Sequence, residues 1–148
     1  MATDQPTPGT TSGLECGAAL TQSTGGALRI TGTFPATVPA GAPTLTGSVE
    51  VTAAEGKVAG VVTPQADAFL VRDGRVVTLP LAQDSVGRPL ELADGRAERL
   101  PATASLVPCS GSDRLAVGSY DVYVRVVLSR ADGSRTDSLG GPWSVEVG

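Results

Sequence analysis

Histidine is absent from the 148 residues of this chain, and reading along it finds no asparagine either. The first absence excludes imidazole acid–base catalysis and imidazole metal ligation, and the second excludes Asn-linked glycosylation. Aromatic residues are scarce. Phe34, Phe69, Tyr120, Tyr123 and Trp143 are the full set, so the interior must be assembled from many small aliphatic contacts. Basic residues are outnumbered, 11 against 15 acidic, for a net charge of −4. Such a chain has no electrostatic footprint for phosphate backbones or anionic lipid, and no nucleic-acid partner is expected. No apolar run approaches the roughly 18 residues of a membrane span, so direct insertion into a bilayer is not expected.

Chemistry is equally short of parts. No serine sits in Gly-x-Ser-x-Gly, and the only lysine, Lys57, lies in a glycine turn where it is expected to be solvated instead of activating a nucleophile. Asp67, Asp84, Glu91, Asp94 and Glu98 could supply the two carboxylates of a hydrolase, but no aromatic residue frames them for stacking a sugar. Calcium-type Asp-x-Asp-x-Asp spacing is missing, as is any compact cysteine cluster. The chain is therefore expected to be noncatalytic, with no metal and no cofactor.

The pattern that is present is β-structure. Val122, Val124, Val126 and Leu128 fall on one face and Asp121, Tyr123, Arg125 and Ser129 mostly on the other, which predicts a half-buried strand from Tyr120 onward. Leu115 and Gly118 precede Tyr120 where such a strand would turn a corner between two layers. Leu28 to Phe34 predicts a first strand. Leu45 to Ala53 predicts a second, expected to pair with the Tyr120 strand. Val58 to Val62 and Ala66 to Arg72, interrupted by Pro64, predict a kinked third. Shorter strands follow at Leu90 and Leu92 and from Leu100 to Leu106, and a last one at Trp143 to Val147, with Trp143 expected to cover one end of the core. Asp73-Gly74, Asp94-Gly95 and Asp132-Gly133 each stand between apolar runs, a hairpin signal pointing to an antiparallel arrangement. Leu81 to Gly87 reads as a helical turn or an open loop.

Two cysteines, Cys16 and Cys109, stand far apart in a Thr-, Pro- and Gly-rich chain, which predicts one disulfide and an oxidising compartment. By the loop-entropy account the bond would add at most about 4–5 kcal/mol. Residues 1–12 carry Thr and Pro without apolar periodicity and are expected to be a disordered spacer, with a single domain over 13–148. That spacer fits an exported domain tethered through a removed signal or anchor. Arg72, Asp73, Arg75, Arg96 and Arg99, with Arg88, gather around the middle hairpins and form a candidate patch for a protein partner, although charge on hairpins also serves solubility and edge protection.

The order of Leu45-x-Gly47-x-Val49-x-Val51, the strand running into Asp73-Gly74, the strand pair about Asp94-Gly95, and Leu115-x-x-Gly118-x-Tyr120-x-Val122 resembles an immunoglobulin-like domain. The resemblance covers Leu28 to Val147. It implies an all-β, antiparallel Greek-key sandwich of seven to nine strands in which Tyr120 is a tyrosine corner, its hydroxyl bonding back to upstream backbone. The intersheet cysteine pair and central tryptophan of antibody domains are missing. The layout is also similar to the bacterial intracellular proteinase inhibitor family, which implies blocking a protease with a protruding loop. Together these readings predict a binding or structural module of the bacterial envelope or extracellular space. Its partner would be a protein, with self-association through an exposed sheet edge as a second mode.

Overall fold

A computed structural model describes residues 14–20, 25–81, 87–93, 95–109, 111 and 114–148. The expected spacer, Asp84, Asp94 and most of the segment from Leu81 to Gly87 lie outside them. The described residues are all-β and contain no helix. Ten strands are formed: β1 (Leu28–Thr33), β2 (Thr37–Val38), β3 (Thr44–Ala53), β4 (Val58–Val62), β5 (Ala66–Arg72), β6 (Arg75–Val76), β7 (Arg88–Leu92), β8 (Ala97–Ser105), β9 (Gly118–Ser129) and β10 (Arg135–Val147).

These strands belong to one sheet ordered β1-β3-β8-β5-β9-β10-β2, with β4 against both β7 and β9 and β6 against β5. The sheet curls until its first strand returns to β10. Gly25 N donates to Leu139 O at 2.8 Å, Leu139 N to Gly25 O at 3.0 Å, and Leu28 N to Ser138 Oγ at 3.1 Å. Close approach at this seam needs glycine, because a Cβ on Gly140 would lie 2.7 Å from Cβ of Ile30. Trp143 is half-buried there, its ring centroid 5.8 Å from that of Phe34.

Enclosing an aliphatic core follows from the alternation in the long strands. Leu45, Val49 and Val51 of β3, Leu100, Ala102 and Ala104 of β8, and Val122, Val124, Val126 and Leu128 of β9 are all buried in one cluster. Each such Leu or Val contributes about 1.5–3 kcal/mol by leaving water, which compensates for the few rings. Pro64 ends β4, and Thr63 Oγ1 donates to Gln65 O at 2.6 Å across the bend, so β4 and β5 run in succession along β9.

Several expectations require correction. The second strand, β3, pairs with β1 and β8 and not with the Tyr120 strand; β3 and β9 share the core without sharing a ladder. Alternation identifies the buried face of a strand but not its neighbour. Two pairings are parallel, β5 with β8 and β2 with β10, so the sheet is not wholly antiparallel. Among the described residues ten strands form where seven to nine were expected, because β2 and β6 are two-residue strands with no readable period. Asp73-Gly74 closes the β5–β6 hairpin with φ of 53° and 78°, and Asp132-Gly133 lies in the β9–β10 connection. The strands flanking Asp94-Gly95 are not paired as a hairpin: β7 pairs with β4, and β8 pairs with β3 and β5. A turn reverses the chain locally, whereas partner choice follows from the longer apolar ladders.

Candidate functional site

The strand directions bring one set of loops to a single end of the molecule. β5 and β8 run parallel toward it, β9 starts there and β10 finishes there. Backbone bonds stitch the loops together: Cys109 N donates to Val77 O at 3.0 Å, Leu106 N to Pro43 O at 2.9 Å, and Gly148 N to Val38 O at 3.0 Å. Among the described residues, five large hydrophobic side chains are exposed; two of them, Val107 and Val117, follow β8 and precede β9 at this end, whereas Leu79 and Leu81 follow β6, which runs back from the Asp73-Gly74 turn alongside β5. Val117 is 66% exposed and Val107 53%. The fifth, Val61, is on β4.

Beneath that apolar rim Tyr120 is buried at the start of β9. Its hydroxyl donates to Ala116 O at 2.6 Å and accepts from Arg72 Nη1 at 2.9 Å. The Arg72 guanidinium carbon lies 4.8 Å from the Tyr120 ring centre, within cation–π range. Gly118 completes the arrangement with a φ of +146°, and a Cβ there would stand 2.6 Å from Arg72 Nη2. Leu115 is buried in the same core cluster as Tyr120. Next to Arg72 is an open recess of about 400 Å³ lined by Cys16, Gly17, Arg72, Asp73, Arg75, Val76 and Val77. The disulfide between Cys16 and Cys109 forms one side of this end, with Cα atoms 5.8 Å apart.

The arginine patch expected from the sequence is divided. Arg72, Asp73 and Arg75 surround the recess, whereas Arg96 follows β7 at the opposite end and Arg99 is on β8 facing Glu50, 3.4 Å from its carboxylate. Linear proximity misled because β7 carries the chain away from the β5–β6 hairpin, so that Arg96 and the start of β8 with Arg99 stand toward the opposite end. At the far end Arg88, Glu91, Arg96 and Glu98 line a shallow groove, with Arg88 bonded to Glu98 at 2.8 Å. Of the candidate carboxylates, Asp67 bonds to Arg125 at 2.9 Å and Glu98 to Arg88, so two of the three described acids each face an arginine and not a second carboxylate. Lys57 is exposed.

The outer face of β5, β9 and β10 went unread in the sequence. Phe69, Val71, Val76 and Leu139 form a second buried cluster there, covered by Leu14, Leu20 and Tyr123. Tyr123 stacks on Phe69, ring centres 6.0 Å apart, and burial, followed by the negative charge of Asp121, pushes its phenol pKa above the ordinary value. Arg125, on the same outward-pointing row, is buried although alternation placed it toward solvent. The apolar spacing of Phe69 and Val71 beside Leu70 in β5 was the available signal: a strand buried on both faces reads as a continuous apolar run.

No family model matches the chain, and no curated protein matches it. Among solved structures, the chain aligns with a crystal structure of a β-glucosidase from Listeria innocua in complex with glucose. The TM-score is 0.42 at 14% identity, over 83% of this chain and 16% of that one.

Proposed function

We propose that the chain is a noncatalytic protein-binding module with an immunoglobulin-like sandwich, working outside the cytoplasm and presenting its loop end to a protein partner. The observation that carries this reading is the pair of exposed hydrophobic side chains, Val107 and Val117, on the loop that follows β8 and precedes β9 at one end. Apolar groups concentrated on one surface favour contact with another protein over exposure to water. The sandwich reading is supported by β3 and β9 burying side chains in one core without sharing a ladder, and by the bond from Tyr120 to Ala116 at the start of β9. The disulfide favours an oxidising location.

A bait carrying Val107→Asp and Val117→Asp tests the reading against the unaltered protein in pull-downs from envelope extracts. Both substitutions are at exposed sites, so stability should change by less than about 0.5 kcal/mol. A partner retained by the unaltered protein should be lost. Equal retention by both baits would sink the loop-end assignment.

The loop from Leu106 to Val117 is held by the Cys109 disulfide and exposes Val107, which also suits a loop-type protease inhibitor. Equimolar titration of a serine protease panel separates the two readings: an inhibitor abolishes activity of one member and stays uncleaved.

A further inference from the structure

The disulfide joins neither pair of core strands. Cys16 precedes β1, and Cys109 follows β8. It fastens a strap, residues 14–20, across the edge of β6. Gly17 N donates to Val76 O at 2.8 Å, Val76 N to Ala18 O at 2.9 Å, Leu20 N to Gly74 O at 2.9 Å, and Arg75 Nη1 to Gly17 O at 3.0 Å. Leu14 and Leu20 then close over Phe69, Val71, Val76 and Leu139.

We propose that this strap is a redox-latched cover: the Cys16–Cys109 bond holds it down, and reduction releases it from the outer face of β5, β9 and β10 while the main core stays folded. The inference goes beyond the binding reading and does not depend on it.

Three observations support release over general unfolding. The first is that the strap contributes nothing to the main core cluster, so its departure strips only the second one. Beyond the covalent tether it is held by hydrogen bonds to a two-residue strand and by packed leucines at its edge, a hold opposed by the entropy of ordering seven residues once the tether is cut. The second is Arg125, opposite Leu139 on the covered face, whose Nε and Nη1 are buried without a hydrogen-bond partner among the described residues. Opening admits water to both nitrogens and so favours the released state. The third is access, because Cys16 is exposed to an incoming thiolate.

The chemistry is a two-electron exchange. A dithiol's thiolate attacks one sulfur, the Cys16–Cys109 bond breaks, and the mixed disulfide resolves as the second thiol closes the oxidised dithiol ring, leaving two protein thiols. No further reactant is needed.

Native-state amide exchange with and without dithiothreitol tests the latch. Reduction should speed exchange at Gly17, Leu20 and Val76 by at least about tenfold, with the ladder amides of β3, β8 and β9 unchanged, the signature of a local opening. Dye binding to newly exposed apolar surface should rise in parallel. Cys16→Ser/Cys109→Ser should show the same pattern without reductant. Unchanged strap protection after complete reduction would overturn the proposal. So would loss of protection in the strap and in β3, β8 and β9 together, since the bond would then hold the whole fold. A failed pull-down at the loop end leaves these readouts untouched.

Discussion

The hydroxyl of Tyr120 bonds to the carbonyl oxygen of Ala116 at 2.6 Å, joining the first turn of β9 to the loop that leads into it. Because the same oxygen accepts from Arg72 at 2.9 Å, one atom fixes both the corner and the end of β5. Tyr120→Phe keeps the ring and removes this junction. The Ala116 carbonyl and the Arg72 guanidinium, both at part-buried bonds, then lose a partner, at a cost of about 1 kcal/mol. Urea denaturation should show a lower midpoint with an unchanged slope.

Gly140→Ala tests the β1–β10 seam. The added methyl meets Ile30 where the strands approach most closely, and overpacking of this kind costs about 1–3 kcal/mol. Exchange at Gly25 and Leu28 should rise in the variant, because their bonds to Leu139 and Ser138 span the same seam.

Arg125 and Asp67 form an ion pair whose side chains are largely withdrawn from water. Removing one partner leaves the other charge uncompensated, so Asp67→Ala should cost about 3 kcal/mol or more. Arg125→Leu/Asp67→Leu should recover much of that loss, since no buried charge remains. A double-mutant cycle by chemical denaturation reads the coupling directly, and additive losses would contradict it.

Tyr123 makes the fold sensitive to alkali. Its pKa is raised in the folded state by burial and by Asp121, so the folded protein holds the phenolic proton more tightly than the unfolded chain. This contribution is fully present below the unfolded pKa of about 10 and is lost as pH rises through the folded value. Stability followed by denaturation at increasing pH should therefore fall above about pH 10, and less steeply in Tyr123→Phe.

Much of the architecture could be read from residue order. The alternation in Leu45–Val51 and Val122–Leu128 identified core-facing side chains that are indeed buried, and Cys16 and Cys109 are bonded. The site was less legible. Arg72, Asp73 and Arg75 come together through a local hairpin, whereas Arg96 and Arg99 are carried away by strands whose partners lie far along the chain. The exposed pair Val107 and Val117 had no sequence signal, because only strand direction brings the end of β8 and the start of β9 to one end.

What the sequence determined by itself was local: where strands run, which side chains of most strands avoid water, where the chain turns, and that histidine-based chemistry has no residue to perform it. What only the tertiary structure decided was long-range. It set the neighbour of each strand, curled one sheet back on itself and laid Leu14 and Leu20 over Phe69 and Leu139. The physical reason is that a period of two encodes burial per residue, while pairing is chosen by competition among all apolar ladders at once.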